Sequence, residues 1–349
     1  MNRKRFLRHA SLLSGSAIVW PVVNGKIFSR RKLIKPAPLK RGDTIGLIAP
    51  AGIVYEEKEY NRMTAVFRSL GLQVRFGGNV RKRYGYLAGR DEERLEDLHR
   101  FFKDPTIHGI VAVRGGWGAN RILPDIDYQI IRENPKVFCG FSDITSLHVA
   151  IQNLSGLVTF HGPNGTSDWT AYSRRQFRAV TFGELELPFP VQPIDEDRVC
   201  EAEDPVTISP GRVTGRLIGG NLTLVTSLIG TSYMPSLEGA ILFLEEIGEE
   251  IYRIDRMFSR LELSGVLDQI AGLVFGRCTD CDTGSRPSLT LQEVLSGYLA
   301  PKNIPSFYGA YIGHEPDNMT LPLGLDAELD ADRGEIRLLE FPVAVSASG

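Results

Sequence analysis

The stretch Lys136-Val-Phe-Cys-Gly-Phe-Ser142-Asp-Ile-Thr-Ser-Leu-His-Val-Ala-Ile151 decides how the rest of the chain is read. Val137 to Phe141 is a compact apolar run, the pattern of a buried parallel strand. From Asp143 to Leu154 the apolar residues Ile144, Leu147, Ala150, Ile151 and Leu154 recur at helical spacing. Ser142 falls at the junction. A serine on a sharp strand-to-helix turn exposes its hydroxyl at the positive end of the helix dipole, where backbone N–H groups can meet an oxyanion. That is the geometry of a nucleophile elbow. The G-x-S-x-G pattern is half met: Gly140 precedes Ser142 by two, and Ile144 stands where the second glycine would be. The same residues also suit a plain helix cap, with Ser142 or Asp143 closing the first turn.

Upstream, Thr44 to Ala49, Leu72 to Phe76 and Gly109 to Val113 read as strands. Between them, Tyr55 to Leu70 and a segment opened by Asp91 read as helices, the second with an apolar stripe of Leu95, Leu98, Phe101 and Phe102. Strands alternating with helices predict a parallel sheet covered on both faces. Ligands of such sheets gather at the carboxyl ends of the strands. Ser142 falls at such an end, and so does the turn Arg114-Gly-Gly-Trp-Gly-Ala-Asn120. That turn lacks the spacing of a dinucleotide loop and the Lys-Ser/Thr of a P-loop. Gly115 and Gly116 instead offer bare backbone N–H groups for close approach to a substrate oxygen.

Residues 166–212 carry five of the chain's prolines among scattered acids and read as an interdomain linker. A second domain is expected over 213–349. It holds a helix from Leu222 to Ile229, a buried strand Ala240 to Glu245, an amphipathic helix Ile251 to Leu263, a strand Ile270 to Phe275 and a helix Ser288 to Leu299. Tyr308 to Ile312 leads into Gly313-His314, and Ile336 to Phe341 is a last strand. The first domain is expected over 43–165, behind an export segment at 1–25 and a basic linker at 26–42. The export reading rests on Arg3-Lys4-x-Phe6-Leu7 ahead of a short apolar stretch, a twin-arginine-like plan with lysine at the second position. It predicts a periplasmic or exported protein, the alternative being a cytoplasmic one.

The totals exclude several classes. With 349 residues, two domains are the natural expectation. A net charge of −2 provides no strong field for nucleic acid or acidic membranes. No run of about 18 uncharged apolar residues marks an integral membrane helix. Four cysteines do not make a disulfide scaffold. Cys278-Thr-Asp-Cys281 has no second pair and no nearby histidine, so no metal is expected there; the reading is two loop cysteines, with a redox pair as alternative. Cys139 reads as core.

Six histidines are available as bases: His9, His99, His108, His148, His161 and His314. His314 stands in a loop rich in turn residues. Glu245 ends an apolar strand, where a half-buried carboxylate needs a partner. A serine, a strand-end carboxylate and a loop histidine can form a triad in any chain order. His314 would take the proton from Ser142, and Glu245 would hold the imidazole.

Several motifs in order resemble the LD-carboxypeptidase (muramoyltetrapeptide carboxypeptidase) family. They are Leu87-Ala-Gly-Arg-Asp-Glu-Glu-Arg94, Arg114-Gly-Gly-Trp-Gly118, Gly140-Phe-Ser142-Asp-Ile-Thr145, Gly215-Arg-Leu-Ile-Gly-Gly-Asn-Leu222, Ile241-Leu-Phe-Leu-Glu-Glu246 with Tyr252 and Arg256, and Gly313-His314 with Asn318 and Leu321-Pro-Leu-Gly324. The resemblance implies catalytic Ser142, Glu245 and His314, with oxyanion donors at the amide of Asp143 and in the turn of Gly115 and Gly116. Trp117 replaces the family's more usual tyrosine, a change at the pocket rim. The resemblance further implies a flavodoxin-like N-terminal α/β domain, a C-terminal swivelling β/α domain, a site between them and a homodimer. The expected reaction is release of terminal D-Ala from a murein tetrapeptide through an acyl-enzyme on Ser142, without cofactor or metal. A microcin C immunity-type peptidase and a non-catalytic muropeptide-binding protein are the competing readings.

Overall fold

Strand β4 of a six-stranded sheet delivers Ser142, and the chain around it follows a βα rhythm. In order come β1 (Thr44–Ile48), α1 (Glu57–Ser69), β2 (Gln73–Phe76), α2 (Asp91–Lys103), β3 (Gly109–Ala112), α3 (Ala119–Ile122), α4 (Tyr128–Glu133), β4 (Val137–Gly140), α5 (Thr145–Ser155), β5 (Thr159–His161) and α6 (Ala171–Phe182). This computed structural model describes residues 32–190, 205–283 and 287–345, all within one compact unit. The export segment expected at 1–25 lies outside them.

The second half runs β6 (Phe189–Pro190), β7 (Val206–Ser209), β8 (Arg212–Asn221), α7 (Leu222–Leu228), β9 (Ala240–Ile247), α8 (Ile251–Leu263), β10 (Gly272–Thr279), α9 (Leu291–Leu299), β11 (Ser306–Ala310), β12 (Leu321–Leu323), β13 (Asp326–Asp330) and β14 (Glu335–Leu338). The first sheet has the order β12-β5-β4-β3-β1-β2, and the second β6-β14-β13-β8-β9-β10-β11-β7. The central pairings of both sheets are parallel, from β2 through β1, β3 and β4 to β5, and from β8 through β9 and β10 to β11. Of these, β3, β4 and β9 are mostly apolar and almost wholly buried, as a strand covered on both faces requires.

Two expectations about connectivity need correction. The linker read over 166–212 contains α6, whose face of Tyr172, Ser173, Gln176, Phe177 and Val180 is buried. Of the remainder, 191–204 lie outside the described residues, while β7 joins the second sheet beside β11. The linker read over 26–42 is docked where it is described: the Ile34 N–H donates to the Gly156 carbonyl at 2.8 Å, and Leu39 is buried. The first sheet is also not completed by its own half of the chain. Its last strand, β12, comes from beyond His314 and pairs antiparallel with β5, Leu321 opposite His161. Core residues of the two sheets, among them Phe160 and Phe243, join in one hydrophobic cluster.

Candidate active site

Four parallel strands end at one place. The glycine-rich turn follows β3, Ser142 follows β4, Glu245 lies near the end of β9, and His314 follows β11. Between β4 and α5 the chain makes a short 3-10 turn, Ser142–Ile144, rather than entering the helix directly. Ser142 has φ 65°, one of four non-glycine residues with positive φ among the described residues. An L-residue in that region is strained by about 1–3 kcal/mol, which surrounding structure must impose. Two contacts impose it here. The His148 Nε2–H donates to the Gly140 carbonyl at 2.8 Å, and Asn164 Oδ1 accepts from the Phe141 N–H at 3.2 Å. Burial pushes the His148 pKa down to about 4, so this ring is neutral and serves as a brace.

The serine does not cap the helix, nor does Asp143: neither the turn nor α5 has a side-chain cap. Asp143 points the other way. Its Oδ2 accepts the Ala119 N–H at 2.7 Å, just after the glycine turn. The carbonyl of the same peptide unit, that of Gly118, accepts from Arg94 Nη1 at 2.9 Å. Arg94 and Asp143 are both buried, and they hold one peptide bond from its two ends. Burial pushes the Asp143 pKa up to about 6, although the Ala119 N–H and the Arg94 charge pull it down. Gly115 lies against the serine: a Cβ there would stand 2.7 Å from Ser142 Cβ and 3.0 Å from its Oγ. Only glycine lets the turn come this close.

On the other side, His314 Nδ1 donates to Glu245 Oε2 at 2.8 Å. Glu245 is fully buried and the histidine side chain 16% exposed. Gly313 makes this contact sterically possible, since a Cβ at its φ of 106° would fall 2.3 Å from Glu245 Oε2. The His314 ring packs on that of Phe141, the residue before Ser142, with centroids 4.8 Å apart. Burial works against the charged imidazolium, but the hydrogen bond and charge of Glu245 outweigh it and raise the His314 pKa above its ordinary value.

The His314 loop is held from an unexpected quarter. Asn318 Oδ1 accepts the Gly313 N–H at 3.2 Å, and the Asn318 N–H donates to Ser173 Oγ at 2.9 Å. Ser173 Oγ also donates to the Pro316 carbonyl, and the Thr170 hydroxyl donates to Asp317. Thr170 is the N-cap of α6 and Ser173 lies in its first turn. The helix missed in the predicted linker therefore anchors the histidine. A cap spacing, Thr170 followed three residues later by Ser173, was the sequence signal for it.

Strand β9 continues beyond Glu245 to Ile247, and its side chains alternate. Glu246 is buried among different partners: its carboxylate accepts from Asn221 Nδ2 and from the N–H and hydroxyl of Thr223, in the first turn of α7. The two sheets also meet directly here, the Asn221 N–H donating to Thr145 Oγ1 at 2.9 Å. Cys139 is fully buried, which pushes its thiol well above the ordinary range and leaves it no thiolate for nucleophilic use. Of the two cysteines read as loop residues, Cys278 lies in β10 rather than in a loop, and it forms a disulfide with Cys281. No group of three or more metal-ligating side chains occurs among the described residues. None of their helices is long and apolar enough to cross a membrane.

A strained serine beside a glycine turn, with a carboxylate-bound imidazole packed on the residue before it, suits a serine-type hydrolase. The chain belongs to the LD-carboxypeptidase family: its N-terminal domain matches residues 45–162 and its C-terminal domain residues 214–329. It is 38% identical over 303 residues to the probable murein peptide carboxypeptidase of Bacillus subtilis, covering 85% of this chain and 91% of the relative. Among solved structures it is similar to the microcin C7 self-immunity protein MccF in complex with glutamyl sulfamoyl guanosine, with TM-score 0.80 and 28% identity, covering 89% of this chain and 99% of that one. It is likewise similar to muramoyltetrapeptide carboxypeptidase from Oxalobacter formigenes, with TM-score 0.72 and 31% identity, covering 84% and 97%. The chain is thus a serine-type carboxypeptidase with a mixed α/β fold.

Proposed function

We propose that this carboxypeptidase hydrolyses the L-D amide bond that releases terminal D-Ala from murein tetrapeptides. The observation that carries the reading is the Glu245–His314 contact, made on the same side of the fold as the strained Ser142. Glu245 fixes the tautomer in which Nδ1 carries the proton, so His314 Nε2 is left to accept one. Ser142 Oγ would attack the carbonyl carbon as its proton passes to His314. The imidazolium, stabilised by Glu245, would then protonate the leaving amine of D-Ala. The Asp143 N–H and the turn of Gly115 and Gly116 supply donors for the oxyanion. Water, activated by the same histidine, would release the tripeptide from Ser142. No step needs a metal or cofactor.

The similarity to MccF supports a second reading, cleavage of an amide in an aminoacyl-nucleotide-like compound, because both activities would use the same centre. Incubation with murein tetrapeptide, followed by mass spectrometry for D-Ala, decides between them. Release of D-Ala is expected. Turnover of an aminoacyl sulfamoyl nucleoside without D-Ala release would favour the second reading, and binding without turnover of either would leave only a muropeptide-binding protein. The protein is further proposed to act as an exported homodimer. The twin-arginine-like residues Arg3, Lys4, Phe6 and Leu7 support export, and the family resemblance supports the dimer.

A further inference from the structure

The catalytic reading leaves an aromatic cluster unused. Tyr55, Tyr86 and Trp117 are 61%, 62% and 49% exposed, which is costly for rings of this size. They stand on three loops tied together by hydrogen bonds. The Gly52 N–H donates to the Gly115 carbonyl at 2.9 Å, the Ile53 N–H to the Tyr86 carbonyl at 3.3 Å, and Arg114 Nη1 to the Ile53 carbonyl at 2.9 Å. Arg114 also lies over the Tyr55 ring, 5.0 Å from its centroid. The rings are therefore presented on a braced surface rather than on loose tips. Trp117 is two residues from Gly115, whose backbone touches Ser142. Two residues span at most about 7 Å of backbone, so the cluster adjoins the candidate site.

We propose that Tyr86 and Trp117 bind the sugar of a muramoyl-peptide, on the acyl side of the scissile bond. This rests on the murein reading above. A carboxypeptidase that removes one residue has nothing beyond D-Ala on the leaving side. Whatever reaches an outward rim belongs to the acyl side. Cutting the last bond of a tetrapeptide leaves three residues there, about 10 Å when extended. That length exceeds the at most about 7 Å of backbone between Gly115 and Trp117, so the muramoyl end can reach the aromatic cluster. The ring geometry favours a sugar over a nucleobase. Tyr86 and Trp117 meet at 85° with centroids 5.8 Å apart, which makes a corner and not a parallel slot. A flat base gains full stacking only on a ring parallel to it. A pyranose can lay its C–H face on the indole and turn its hydroxyls toward the Tyr86 phenol and the Arg114 guanidinium.

The test is isothermal titration of the full-length Ser142→Ala protein with free tetrapeptide and with N-acetylmuramoyl-tetrapeptide. We expect the muramoyl compound to bind about tenfold tighter. Introducing Trp117→Ala or Tyr86→Ala should bring the ratio toward one, while Trp117→Tyr restores most of it. The two alanine variants lie on different loops, so a local misfolding of one does not decide the matter. Equal affinities for the two compounds, or a ratio unchanged in both alanine variants, overturns the proposal. So does adenosine monophosphate binding that exceeds that of N-acetylmuramic acid with the same dependence on Trp117. The D-Ala assay on the unsubstituted enzyme is separate: an enzyme inert toward tetrapeptide that still prefers the muramoyl ligand refutes the reaction and leaves the sugar site standing.

Discussion

The two halves of the candidate site are held by different physics. Around Ser142 the means are steric: a positive φ, a glycine turn within contact, and backbone groups braced by His148 and Asn164. Around His314 the means are electrostatic: a buried carboxylate, an imidazole with a raised pKa, and a loop pinned by polar side chains. The first half should respond to volume and the second to charge and pH. Single substitutions separate the two.

The largest effect is expected on the steric side. Ser142→Ala removes the proposed nucleophile while relieving a strained backbone little, so the fold should hold and kcat should fall on the order of a millionfold. Near-normal turnover in a purified, folded variant would break the assignment. The charge side comes next. Glu245→Gln keeps the shape but removes the influence that raises the His314 pKa, and kcat should fall about ten-thousandfold. The sign of the pH effect follows. As the proposed base, His314 must be neutral to accept a proton, so wild-type activity should drop toward acid through a raised pKa. With the Glu245 charge gone and its hydrogen bond to the imidazolium weakened, burial is opposed only by the more minor charges of Glu246 and Glu315, and the acid limb of kcat should move to lower pH. A limb that stays in place would mean that Glu245 is only a packing residue.

A smaller loss should follow Gly115→Ala. Its Cβ would collide with Ser142, the turn must retreat, and an oxyanion donor is displaced, for a loss of about a hundred- to a thousandfold in kcat with KM little changed. An alanine variant with full kcat would show that the turn plays no part in the chemistry. The smallest effect on catalysis is expected at Glu246. Glu246→Gln should remain active, because Glu246 hydrogen-bonds Asn221 and Thr223 and reaches His314 only through a charge effect smaller than that of Glu245. It should nonetheless lose about 1–3 kcal/mol of stability, since a charge-assisted cap at the start of α7 becomes a neutral one. Chemical denaturation measures the second quantity. An inactive Glu246→Gln beside an active Glu245→Gln would reverse the roles of the two residues.

The same contrast explains what could be read from the sequence. The strands β1, β3, β4 and β9 are short apolar runs with nothing to confuse them, and the turns after β3 and β4 carry their glycines in plain view. Helix α6 was missed because its buried face includes Ser173 and Gln176. Counting apolar residues therefore breaks the helical period, and the prolines beyond it suggest a linker. Ser173 holds the His314 loop through Asn318 and Pro316, so a functional demand hid a structural signal. Strand β12 was missed because it is three residues long with a proline in the middle. Proline is tolerated only because this is an edge strand. The joining of Cys278 to Cys281 depends on how the end of β10 curls, which spacing alone does not determine.

Strand β12 also bears on the order in which the protein is made. His314 sits between β11, in the second sheet, and β12, in the first. While the chain emerges from the ribosome, the first sheet lacks its last strand until Leu323 has been synthesised, and the β5 edge stays unpaired. Ser142 can be in place long before then, but its proposed base cannot. The tether that brings the histidine into the cleft is the same one that closes the sheet. A nascent or truncated chain ending before residue 321 would present an open edge, and by the proposed mechanism it would hold an unassisted serine, with hydrolysis waiting until the fold is nearly finished.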